Sequence, residues 1–190
     1  MLTLCTETSI DYTGAQLRAG WLLETFGAGP DAIACFRGAC DVAPEHMIDL
    51  EDLEAGERIV ARDMLHVIVE HIDGDLARIV LRQRLLVCCV VETLRELGDV
   101  GEITRAGDDV YVGPAGARRK LTVSIATTSE RGTGLIHLGV NVDPEGAPVP
   151  AVGLGELGID PKRFGDVLAE RYAREVEMAE RAAGKVRVAP

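Results

Sequence analysis

The sequence predicts an α+β fold: a mixed, mostly antiparallel sheet packed with three main helices. Three observations lead there. Strand and helix signals do not alternate regularly, which removes a doubly wound parallel sheet. Beyond residue 107 three strand signals follow one another across short turns, the spacing of antiparallel hairpins. Two long segments, from about 75 to 97 and from 160 to 183, begin on helix-capping aspartates.

Residues 3–9 read as an opening strand. Thr13-Gly-Ala-Gln16 has the spacing of a capping box, in which threonine and glutamine side chains satisfy free N–H groups at a helix start. A helix over 13–26 follows, with Gly27 suited to its C-terminal cap. Residues 31–37 read as a buried strand. The acidic, turn-rich stretch 38–56, with Gly38, Pro44 and Gly56, reads as a long surface loop. Strands are expected at 57–61 and 64–72, the second rich in β-branched residues. Asp73 or Asp75 caps a central buried helix reaching Leu97, and Gly98 is placed to end it. Its Leu76, Ile79, Val80, Leu86, Val87, Val90, Val91 and Leu94 recur at helical spacing. Strands at 108–112, 119–127 and 134–142 are joined by Gly113-Pro-Ala-Gly116 and Glu130-Arg-Gly-Thr-Gly134. Asp160-Pro161 opens the last helix as N-cap and first-turn proline.

With no internal repeat, low-complexity tract or long linker, the 190 residues read as one domain. Apolar residues make up 47 % and aromatics 4 %, so the core is expected to be aliphatic. No apolar run reaches the ~18–20 residues that span a bilayer. Met1-Leu-Thr-Leu-Cys5 lacks the basic start and apolar core of a signal peptide, so the cytoplasm is expected, with no membrane partner. A net charge of −11 argues against nucleic acid, whose phosphates would be repelled. Cys88 and Cys89 adjoin within an apolar stretch, and Cys35 and Cys40 have no second pair at zinc-site spacing. Free thiols and no structural zinc are expected. Lysine is confined to Lys120, Lys162 and Lys185 against a background of arginine, so a lysine in a pocket would stand out.

The stretch 107–142 carries the pattern closest to chemistry. It reads Gly107-Asp108-Asp109-Val-Tyr-Val, a Gly-rich turn, Arg119-Lys120-Leu-Thr-Val-Ser124, and then His137-Leu-Gly-Val-Asn141-Val. This resembles the catalytic core of biotin and lipoate protein ligases. There a strand begins Asn-Asp, a hairpin leads to a Gly-Lys or Arg-Lys pair, and a later strand reads Gly-Ile-Asn-Val or His-Gly-Thr-Leu-Leu. Three elements in that order are more specific than any one alone. The helix to Leu97 and the segment Val152–Pro161 extend the likeness over residues 58–183. The whole chain is also similar to a largely archaeal family, domain of unknown function family 366, through Arg82-Gln-Arg84-Leu-Leu and the stretch from Lys120 to Thr127.

The resemblance implies a class II synthetase-like fold, ATP with Mg as a cofactor, and a small carboxylate or acyl ligand. It implies that Lys120 contacts the acyl carboxylate and the nucleotide phosphate, where a fixed cation stabilises charge building between two anions. It implies that Asp109 orients an acceptor amine or shares a metal. Asp108 stands where the family has Asn, and since side chains alternate along a strand, one of the two faces the site. Ser124 and His137 match ligand-side positions, although Val123 and Leu138 replace neighbouring glycines. The Arg-Gly-rich loop of the ligases corresponds to Ala61-Arg62-Asp63-Met64-Leu65-His66, which has no glycine to free backbone amides for phosphate. Arg62 would have to serve instead.

Other residues read differently. Arg82 and Arg84 could form an anion clamp or lie solvated on their helix. His66 and Glu70 share one strand face and could be an acid–base pair or two metal ligands, or simply a half-buried strand edge. Cys40 could accept an acyl group, although Asp41 beside it would raise its pKa. Lys120 and the two aspartates could also be exposed turn residues. Three readings follow: a ligase-like or acyltransferase-like domain; a non-catalytic ligand-binding or dimeric scaffold, for which an exposed strand edge offers a homodimer contact; and a metal-dependent enzyme using His66 and Glu70.

Overall fold

The computed structural model describes residues 1–189. In chain order it contains β1 (Leu2–Ser9), α1 (Trp21–Phe26), β2 (Ala32–Asp41), α2 (Leu50–Ala55), β3 (Val60–His71), α3 (Leu76–Leu97), β4 (Ile103–Ala106), β5 (Asp109–Val112), β6 (Arg119–Lys120), β7 (Thr122–Thr128), β8 (Gly134–Asp143) and α4 (Pro161–Gly184). Five strands form one sheet in the order β1-β2-β3-β8-β7, and β4-β5-β6 form a second, smaller one. Only β1 and β2 run parallel; every other ladder is antiparallel. The expected mixed, mostly antiparallel α+β architecture is therefore present.

Strands β3 and β8 lie in the middle of the larger sheet and are buried on both faces, which is why they read as near-continuous apolar runs. Helices α3 and α4 cover one face, where Leu65, Val67 and Leu138 meet Leu86, Phe164 and Tyr172. Asp75 and Asp160 cap these helices as expected, accepting from Arg78 N at 2.8 Å and Arg163 N at 2.7 Å. Opposite, Phe36, Met64 and Ile68 lie under Tyr12, Trp21 and Leu22. No helix among the described residues is long and apolar enough to cross a membrane.

Several expectations are corrected. The helix expected over 13–26 is confined to α1, because Gly14 and Gly20 both take positive φ, 89° and 85°, and break the chain into turns before it. The capping-box pair survives in part: Gln16 Oε1 accepts from Thr13 N at 3.0 Å. The stretch 38–56 is not one loop. β2 continues to Asp41, and α2 follows, capped by Asp49. The two strands expected at 57–61 and 64–72 are one, β3, with a register shift between Asp63 and Met64 against β8. Strand β4 leaves no sequence signal, having only four residues and two of them exposed. The single strand expected at 119–127 divides at buried Leu121, where the chain passes from the small sheet to the large one. Gly98 ends α3 as expected, in an extended conformation. A β-carbon there would press on Ile159 Cδ1 at 3.1 Å, so packing is its physical role.

Candidate functional site

The face of the sheet away from α3 and α4 holds a cavity of about 250 Å³. Its floor comes from alternate residues of the central strands, with Met64 on β3 and His137 on β8 beside Val123 on β7, and Tyr12 closes over them. Room for it depends on Gly139, where a β-carbon would meet Met64 Cε at 2.7 Å and Val123 Cγ2 at 3.2 Å. The segment from Val42 to Val60, carrying α2, forms the opposite wall with Met47, Asp49 and Asp52.

Lys120 sits at the crossing between the two sheets and is held there by its backbone. Its N–H donates to Pro150 O at 2.9 Å, and its carbonyl accepts from Val152 N at 3.0 Å and Asn141 Nδ2 at 3.2 Å. The side chain lines the cavity, Nζ 3.0 Å from Asp109 Oδ1, both side chains about one-quarter exposed. Tyr111 Oη donates to the other Asp109 oxygen at 3.1 Å. Asp108 also lines the cavity. The alternation expected of the two aspartates does not apply, because β5 begins only at Asp109 and Asp108 belongs to the preceding turn.

Asp108 is tied into a network with α3. Arg84 Nη1 lies 2.5 Å from Oδ1, and Gln83 Nε2 and Ser124 Oγ donate to Oδ2 at 3.2 Å and 3.1 Å. Partial burial pushes this carboxyl up, but the Arg84 guanidinium and the hydrogen bonds outweigh it and hold its pKa below the usual value. Ser124 is thus placed at the cavity through Asp108. Arg84, which the sequence offered only as a companion to Arg82, is the arginine that reaches this network. Arg82 faces away, with Nη2 3.2 Å from Glu180 on α4. Arg62 also lies outside the cavity lining, paired with Asp143 at 3.0 Å and with Glu145, because the register shift in β3 turns it outward.

The metal reading of His66 and Glu70 is overturned. Glu70 is fully buried, and both its oxygens accept from the start of α1, Gly20 N at 3.0 Å and Leu22 N at 2.8 Å. His66 instead meets His137, Nδ1 to Nε2 at 3.2 Å, and its Nε2 lies 3.3 Å from Gly38 O. Among the described residues no group of three or more His, Cys, Asp or Glu is arranged to hold a metal ion. The acyl-acceptor reading of Cys40 fails too. The thiol is buried, and burial, with Asp41 adding to it, pushes its pKa up to about 12, leaving no thiolate near neutrality.

Burial pushes His66 down to about 4, against the opposing pull of the Gly38 carbonyl. His71 is also pushed down to about 4, by burial and Arg82, although Asp31 opposes. Both folded values lie below the ordinary 6.5, so between those limits the unfolded chain binds more protons than the folded one. This contribution to stability is complete above about pH 6.5 and is lost as pH falls towards about 4, on the order of 3 kcal/mol per ring at most. Urea midpoints should therefore drop steadily between pH 7 and pH 4.5. A flat profile would contradict neutral buried rings.

ATP with Mg does not fit these residues. Asp49, Asp52, Glu57, Asp108 and Asp109 line the cavity against Lys120 and Arg58. Asp52 is crowded enough that burial, then Asp49 and Glu57, raise its pKa. Phosphates would meet mostly carboxylates. The wall from Val42 to Val60 carries Gly56 as its one glycine and uses that residue to cap α2. The stretch 61–66 lies within β3 and offers no loop of free amides.

Comparison with known proteins agrees with this architecture. The family described as Domain of unknown function (DUF366) matches residues 1–187. Uncharacterized protein MJ0805 of Methanocaldococcus jannaschii is 36 % identical over 191 residues, covering 95 % of this chain and 82 % of that protein. A solved structure described as a protein of unknown function from Pyrococcus horikoshi is 39 % identical, with a TM-score of 0.91 over 99 % of this chain and 98 % of that one. Biotin protein ligase from Aquifex aeolicus has a TM-score of 0.58 at 15 % identity, over 93 % of this chain and 69 % of that one, which shows a shared fold.

Proposed function

The chain belongs to the DUF366 family, and on that footing we propose that it binds a small carboxylate or acyl compound beside Lys120, in a domain of ligase-like fold. One observation carries this reading: a lysine ammonium and an aspartate carboxylate 3.0 Å apart at the edge of a cavity whose floor is largely apolar. The ammonium suits a carboxylate or acyl oxygen. Asp109, with the acidic wall behind it, suits the amine of an acceptor. An acyl group and an amine brought together there are arranged for acyl transfer. Adenylation draws no support from the cavity wall.

Isothermal titration with octanoate tests the binding step. Lys120→Ala should weaken binding about 10- to 100-fold, the equivalent of one charge-assisted hydrogen bond of ~1.5–3 kcal/mol. Unchanged affinity in a folded Lys120→Ala protein would sink this reading. A second reading, a ligand-binding domain without catalysis, is favoured by the missing phosphate cradle. It predicts the same binding but no acyl transfer from an octanoyl thioester to a primary amine.

A further inference from the structure

The imidazoles of His66 and His137 meet beneath Tyr12. The Gly38 carbonyl can only accept a hydrogen bond, so the His66 nitrogen 3.3 Å from it, Nε2, carries the proton. In the neutral ring Nδ1 is then an acceptor, and His137 Nε2, 3.2 Å away, must donate to it. That assigns the second tautomer in turn: His137 Nδ1 bears a lone pair. Among the described residues no hydrogen-bond donor reaches this nitrogen, and His137 lines the cavity while being only 4 % exposed. Tyr12 stacks on the ring with centroids 3.8 Å apart and planes within 6°, which holds its orientation.

We propose that His137 Nδ1 is an uncharged hydrogen-bond acceptor in the cavity floor, selecting ligands that carry a neutral O–H or N–H donor at the end remote from Lys120. The inference deepens the carboxylate reading and rests on it for the other end of the ligand. Both imidazoles stay neutral near pH 7 because burial pushes them down. An ammonium group would be a poor occupant. Glu70, two residues beyond the β3 partner of His137, has both oxygens engaged by α1, and a neutral ring acceptor by itself does not offset the desolvation of a cation. Lys120 and His137 both line the cavity, and Asn141, which holds the Lys120 backbone, lies four residues along β8 from His137, about 13 Å between backbones. The ligand this reading implies is a medium-length chain with a hydroxyl or carboxamide terminus.

Titration of the wild-type protein and His137→Phe with octanoate and ω-hydroxyoctanoate tests this. The hydroxylated compound should bind wild type about 5- to 10-fold more tightly, the value of one neutral hydrogen bond. The preference for the hydroxylated compound should vanish in His137→Phe. Equal affinities in wild type would overturn the proposal and leave the Lys120 reading standing. If neither compound binds, the Lys120 reading falls, and long-range ¹H–¹⁵N NMR of wild type decides the floor without it. The expected result is an unprotonated His137 Nδ1 whose resonance moves when hexanamide is added. A protonated Nδ1, or no response to hexanamide, would overturn the proposal.

Discussion

The Glu70→Ala protein loses about 3–5 kcal/mol of folding stability, because two charge-assisted hydrogen bonds disappear and their donors stay behind. The Glu70 carboxylate accepts from Gly20 N and Leu22 N, and it is wholly enclosed. Helix α1 has no cap of its own. Gly20 stands at its N-cap position in a left-handed conformation and has no side chain to contribute. The first turn of α1 is therefore capped from β3, fifty residues away in sequence. Burying a carboxylate is costly, but orphaning the donors it satisfies is worse than never having buried it. Glu70→Gln keeps one acceptor oxygen and should lose less, about 1–2 kcal/mol. Urea unfolding of both variants measures the difference. A loss under ~1 kcal/mol for the alanine variant would mean that α1 is held by something other than this cap. Because the segment leading into α1 carries Tyr12 and Leu17, which line the cavity, Glu70→Ala should also weaken octanoate binding.

Gly38→Ala comes next in size. Here β2 passes so close to the segment after β1 that a β-carbon would lie 2.2 Å from Ile10 O and 2.6 Å from Ile10 C. Both are backbone atoms, so no side chain can rotate out of the way. The segment from Ile10 to Tyr12 must move instead, breaking Ile10 N→Arg37 O at 2.9 Å and Tyr12 N→Ala39 O at 2.8 Å. Strain of this kind costs about 1–3 kcal/mol, and each of the two lost backbone bonds adds about 1 kcal/mol, for a total of about 3–5 kcal/mol. Tyr12 would shift off His137, and His66 would lose the alignment of its Gly38 acceptor. The readouts are a lowered urea midpoint together with a changed ¹⁵N signature for His66 and His137. Wild-type values of both would show that the two backbones can separate freely.

Much of the frame was legible in residue order. Asp75 and Asp160 announced the long helices, and the apolar spacing from Ile79 to Leu94 announced the face of α3 that meets the sheet. The scarcity of lysine directed attention to Lys120, and the structure places it at a cavity beside Asp109. The errors were of another kind. Adjacent Asp108 and Asp109 looked like two positions of one strand, but a turn ends between them, so the rule of alternation had nothing to act on. His66 and Glu70 share a face, as spacing requires. Each is claimed by a partner far along the chain, His66 by His137 and Glu70 by the start of α1.

Local signals determined the starts of the two long helices, the strand-rich middle and the likeness to ligase cores, because caps, periodicity and turn chemistry act over a few residues. Tertiary structure alone decided which polar side chains are spent on structure and which remain free for a ligand. Arg62 and Arg82 form ion pairs outside the cavity lining and Glu70 caps a helix, while Lys120 and Asp109, paired with each other, line the cavity together with His137. The reason is that a buried polar group must find its partner wherever the fold brings one, and that distance has no counterpart in residue spacing.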